Sequence, residues 1–272
     1  METKKFCGIE FKVYTDTKIE GDFIYPYEAV YFENDIEITG RLEVKYLKCK
    51  KSINVHKLYI VDKWEEVGGS QKVGLYQKVG LSQEIGGSQV VGGSQKVGGS
   101  QEVGRSQVVG LYQGVGEYQK VGGSQEIGWS QVVGGSQKVG EFQEVGRSQV
   151  VGEFQKVGEY QKVGWYQVVG WYQGIGWYQE VGWDLTVHSS KVSLYSKVGG
   201  KYKAEGKVFI GVCEWKETTK EEETLTCGEF ISGDIKYGYL EEVGLLEEGI
   251  NDDKTEEAMK LLRERGYKII KE

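Results

Sequence analysis

From Val67 to Val181 an aliphatic residue returns at every sixth position without a break, twenty times. It is Val throughout except at Ile85, Ile127 and Ile175, and each is followed by Gly. The fifth position is Gln in nineteen successive hexads, Gln71 to Gln179, and the chain holds Gln nowhere else. Position four accepts only Ser, Tyr or Phe, whereas position three takes Gly, Leu, Glu, Arg or Trp and position six takes Lys, Glu, Val or Gly. The repeating unit is therefore V-G-x-[S/Y/F]-Q-x. Along an extended strand side chains alternate between faces, so the uniform Gln and Val share one face and the charge-tolerant position six occupies the other. Gln and Val are expected to point inward. Position three is an exposed corner, and the neighbouring Gly supplies the unusual backbone angles or the close approach a corner needs.

A six-residue period could be folded as an antiparallel meander with Gly-x turns, since Gly at the first central position suits a type II′ hairpin. The residues flanking such a turn would pair on one side, and the Val/Gln face would swap sides at every strand. No common interior would form. Strands that coil in one sense and stack in parallel keep every Val and Gln inside, so the pattern predicts a parallel β-solenoid. An inward Gln without a partner would cost roughly 1–3 kcal/mol; identical Gln one coil apart can bond amide to amide in a ladder along the axis. The period alone leaves open two or three hexads per coil. At about 4.8 Å between coils, the array would span roughly 48 Å or 32 Å respectively.

The Val-Gly pairs and the hexad spacing of residues 67–183 resemble the hexapeptide-repeat family of left-handed parallel β-helices. This chain departs from that family at position five, where Gln replaces a small residue. The resemblance implies a β-helix and raises acyl transfer, because many members are acyltransferases that use a His from a loop or neighbouring coil. Only His56 and His188 are present, both outside the regular array, and no inserted loop interrupts it.

Apolar residues at steps of five to six already run through Leu42, Leu47, Ile53, Leu58 and Trp64. Residues 36–66 read as irregular coils of the same solenoid and residues 1–35 as an N-terminal cap of strands that covers an open sheet edge. After Trp183 the hexad decays. Residues 184–272 read as a β-rich C-terminal cap carrying one helix over 251–265, with Asn251 or Asp252 at its start, Arg263 and Arg265 in its last turn and Gly266 ending it. The fold expected is all-β with one C-terminal α-helix. Tandem copying is visible as well: QVVGGSQKVG at 89–98 returns at 131–140, seven hexads later.

Composition narrows function more than it names one. The chain has 272 residues with 41 Gly, one Pro and a net charge of −7. Collagen is excluded, and no window reaches the 18 apolar residues or so of a membrane helix. The array carries nine basic and nine acidic residues, so it offers no electrostatic reason to bind nucleic acid or anionic lipid. The start lacks the apolar segment of a secretory signal, and Cys7, Cys49, Cys213 and Cys227 show no metal spacing; free thiols in the cytoplasm are expected. No catalytic, cofactor or metal site is expected. Ice binding finds no support, because residues 67–183 contain no Thr. The leading expectation is a non-enzymatic scaffold, spacer or self-assembling element, joining copies end to end or side by side. The alternative is a module that binds protein or carbohydrate through exposed aromatics, Trp165, Tyr166, Trp171, Tyr172, Trp177, Tyr178 and Trp183. An acyltransferase-like enzyme is third.

Overall fold

Val and Gln do turn inward, and the strands they lie on stack in parallel. The computed structural model describes residues 2–192, 195–211, 219–221 and 223–244, so Cys213 and the helix expected at 251–265 lie outside the described residues. Gln71 sits beside Gln89, Gln77 beside Gln95 and Gln83 beside Gln101, each pair 18 residues apart. Three hexads therefore complete one coil, and the whole is an all-β parallel solenoid of about 12 turns. Its three sheet faces are called A, B and C, through Gln71–Val73, Tyr76–Val79 and Ser82–Ile85 respectively.

Each short strand presents a buried Gln and a buried Val or Ile, with the residue between them turned outward. The chain then bends at Gly-x. The corner glycines from Gly68 to Gly182 are not in the left-handed region. Close approach is what demands them: a Cβ on Gly128 would run into the carbonyl oxygen of Gly110, one coil earlier. The Gly128 N–H meanwhile donates to the Val109 carbonyl oxygen at 2.9 Å, so the ladder continues through the corner.

Parallel pairing extends beyond the hexads in both directions. The first two strands, β1 (Thr3–Phe6) and β2 (Ile9–Tyr14), form an antiparallel hairpin through Cys7 (φ 48°) and Gly8 (φ 81°). β2 then pairs in parallel with the strand Phe23–Phe32, Lys12 beside Val30. β1 thus closes the terminal coil with a strand bearing Lys4 and Lys5, which blunts the edge. Its Phe6 packs with Phe11, Tyr31 and Trp64 into a small aromatic cluster outside the main core. Inside these first coils the Gln positions hold Val30, Ile36, Leu42, Leu47, Ile53 and Tyr59, all buried. On the other side, Leu185–Val192 lies on Gln167–Ile175, and Tyr195–Ile210 follows, with Leu185, Ser190 and Ser196 in place of Gln. The solenoid therefore has three core chemistries along one axis.

Candidate functional site

The interior is where the least ordinary chemistry lies. From Gln89 to Gln179, every Gln amide donates one N–H to the Oε1 of the Gln one coil earlier and the other to the Oε1 of the Gln two hexads earlier, at 2.6–3.4 Å. In mid-array both N–H groups and both oxygen lone pairs of each amide are used. The bonds to the previous coil build a column on each face, and the bonds of two hexads tie the three columns together. All amides point the same way, because a single reversed amide would set donors against donors and oxygens against oxygens at four contacts.

A one-way network needs an acceptor at its start and a donor at its end. Glu65 occupies the Gln position on face C, between Leu47 and Gln83. Its carboxyl is buried and accepts from the Nε2 groups of Gln71, Gln77 and Gln83, the last at 3.2 Å. Burial pushes its pKa up to about 8, opposed by these bonds and by the neighbouring Tyr59. The Tyr59 phenol, enclosed and without a formed hydrogen bond, is itself pushed well above the usual range by burial and then by Glu65. At the far end the Ser196 hydroxyl donates to Gln179 Oε1 at 3.0 Å. Gln173 Oε1 has no partner, since Ser190 one coil on is engaged with the Tyr202 hydroxyl at 2.7 Å.

Outside, the three-hexad coil sorts the aromatics that the sequence singled out. Trp165 and Trp183 share the corner leading into face B and stack at 5.9 Å with 19° between planes. Tyr166 lies edge-on to both. Trp171 stands at the corner before face C, near His188, and Trp177 at the corner before face A. Tyr172 and Tyr178 face outward on C and A. Six-residue reasoning missed Trp129 and Arg147. The Arg147 guanidinium lies 4.4 Å from the Trp129 ring and 5.1 Å from Trp165, making an alternating cation–π column. Reading position three with a stride of 18 would have found it.

The titratable groups outside do not converge. His56 meets Glu37 at 2.7 Å and His188 meets Glu205 at 3.4 Å, on coils far apart in the stack. Among the described residues no group of three His, Cys, Asp or Glu could hold a metal ion. Cys49 and Cys227 are buried, and burial pushes each thiol up to about 11. A shallow groove of about 660 Å³ on face A is lined by Asp35, Ser52 and Ser70. Their oxygens accept the backbone N–H groups of the following coil, from Ser52, Ser70 and Ser88, at 2.9–3.2 Å. Its polar groups hold coils together. The chain matches no family model, no curated protein and no solved structure.

Proposed function

We propose that this chain is a non-enzymatic structural repeat protein, a stiff rod that serves as scaffold, spacer or self-assembling element, and that its array is built on the hexapeptide-repeat plan with Gln in place of the small inward residue. One observation carries the reading: the unbroken, one-way amide network from Gln71 to Gln179. Such a network adds directional cross-links to a hydrocarbon ladder and resists bending between coils. It contributes nothing a substrate could reach. About 12 turns at about 4.8 Å each make a rod of roughly 55–60 Å.

A second reading is favoured by the Trp129–Arg147–Trp165–Trp183 column, which borders outward Val132, Val150 and Val168 on face B. This apolar, aromatic-edged strip, with the Arg147 charge held between Trp rings, has the composition of a binding surface for protein or carbohydrate. The two readings separate in one experiment. Small-angle scattering and negative-stain microscopy across a concentration series should give rods of that length, discrete or joined. A compact particle would defeat the structural reading, as would turnover of an acyl donor by the purified chain. A stoichiometric complex that is lost with Trp165→Gly and Trp183→Gly, the rod being intact, would favour the binding module.

A further inference from the structure

The outward residues of face C carry a pattern that no other face has. In coil order, position six reads Lys48, Glu66, Glu84, Glu102, Lys120, Lys138, Lys156 and Gly174. Three carboxylates are followed by three ammonium groups along one straight column. Glu84, Glu102, Lys138 and Lys156 are exposed. Within the chain only the boundary pair, Glu102 with Lys120, and the end pair, Lys48 with Glu66, make ion contacts in this column. On face B, position six has no carboxylate within the hexads, the column's Glu43 standing alone two coils before Lys78, and on face A the signs are mixed without a block.

We infer that face C is the docking surface for a second copy of this chain, the two solenoids lying face to face with their axes antiparallel. This deepens the structural reading above, on which it rests, by naming the partner and the surface. A two-fold axis along the strand direction, between the coils of Glu102 and Lys120, sets the column of one copy against the column of the other in reverse order. Glu102 then meets Lys120 of the second copy, Glu84 meets Lys138 and Glu66 meets Lys156, each pair twice by symmetry. The other outward positions agree. Ser100 faces Tyr118, so the exposed ring meets a shallow trough of about 360 Å³ lined by Ser82 and Ser100 and bordered by Trp64 and by Cys7 of the N-terminal hairpin. At the corner Glu153 faces Lys63, Glu117 faces Gly99, and no like charges meet. Moving the axis by half a coil puts Glu102 on Glu102 or Lys120 on Lys120, and by a whole coil Glu84 on Glu102 or Lys120 on Lys138, so charge selects this register and closes the assembly at two.

Because the contact is made of exposed charges, it is strong at low salt and screened at high salt. Sedimentation of the full chain should show a monomer–dimer equilibrium whose dissociation constant rises at least about tenfold between roughly 20 mM and 500 mM NaCl. The triple variant Lys120→Glu, Lys138→Glu, Lys156→Glu should be monomeric, as should Glu66→Lys, Glu84→Lys, Glu102→Lys. Mixed one to one, the two should dimerise. All six positions are on the surface, and circular dichroism checks that both variants keep the fold. Zero-length carbodiimide coupling then reads the register. Glu84 and Lys138 are about 14 Å apart within one chain, and Glu66 and Lys156 about 24 Å, so either link arises only between copies. Those links support the proposal; Glu102–Lys120 links alone, or dominant Glu84–Lys156 links, overturn it. A chain that stays monomeric at low salt while scattering as a rod sinks the dimer and leaves the structural reading standing. A particle that is not a rod sinks both.

Discussion

The coils before Trp64 and the coils after Val67 share one backbone path and differ in what fills it. Leu42, Leu47, Ile53 and Tyr59 stand where Gln77, Gln83, Gln71 and their successors stand further on. Hydrocarbon positions are non-directional, so the first coils tolerate Phe, Tyr, Ile and Leu in any order and strides of 17 to 19 residues. Amide positions are directional. Each Gln serves four neighbours, and a missing or displaced amide would leave groups unpaired on two coils. The regularity of residues 67–183 follows from that demand. Tolerance of disorder in sequence, then, belongs to the apolar coils, and strictness to the polar ones.

Glu65 marks the border, and its titration is the sharpest way to probe the difference. A Gln there would aim two N–H groups at the hydrocarbon of Leu47 and Ile53; a protonated carboxyl has only one O–H to place, and an ionised one none. Its pKa rises from 4.5 to about 8 on folding, so the folded state binds the extra proton. The stability associated with that proton is present below about pH 4.5 and is lost as pH climbs through about 8. The effect is on the order of 5 kcal/mol at about 1.4 kcal/mol per unit. Unfolding by denaturant should therefore show Glu65→Gln gaining on the parent by several kcal/mol between pH 5 and pH 9. A difference independent of pH would mean that the carboxyl is hydrated.

A reciprocal pair of substitutions comes next in size. Leu42→Gln buries an amide among hydrocarbon and should cost about 4 kcal/mol, from lost packing and an unpaired polar group. Gln113→Leu deprives Gln95, Gln101, Gln125 and Gln131 of one bond each, at about 3 kcal/mol. The same urea titration measures both. If Gln113→Leu were neutral, the network would be incidental to stability.

The smallest effect on stability separates core from surface. Removing residues 107–112 deletes one hexad; the Gln and Val columns rejoin, so unfolding should shift by less than about 1 kcal/mol. Everything beyond is turned by one face, which splits the Glu and Lys blocks of face C and should abolish dimerisation. Removing residues 157–174 deletes one whole coil, leaves those blocks aligned and should shorten the rod by about 4.8 Å with the dimer kept. Thermal denaturation and sedimentation of the two deletions would show whether phase matters to the surface alone.

The candidate surfaces were hard to read in the sequence for a related reason. Lys78, Val90 and Lys96 return at Lys120, Val132 and Lys138, seven hexads on. Seven is one more than a multiple of three, so the copied lysines move from face B to face C and continue the column that Glu84 and Glu102 begin. In linear order the charges look scattered. The Trp residues misled in the opposite direction: Trp165, Trp171 and Trp177 are adjacent as hexads and are carried to three different corners, while Trp165 joins Trp129, Arg147 and Trp183 from other coils.

Local alternation was enough to establish the strands, the inward Val and Gln, the exposed corners and the parallel coiling, because each follows from one side chain pointing opposite to the next. It also foretold that Gln would pair with Gln. The number of hexads per coil, the single direction of the amides, the close approach that demands the corner glycines and the termination at Glu65 and Ser196 were decided by tertiary structure. A period of six is the same on a two-sided and a three-sided coil, and an amide acquires its direction only from the neighbours that closure brings to it.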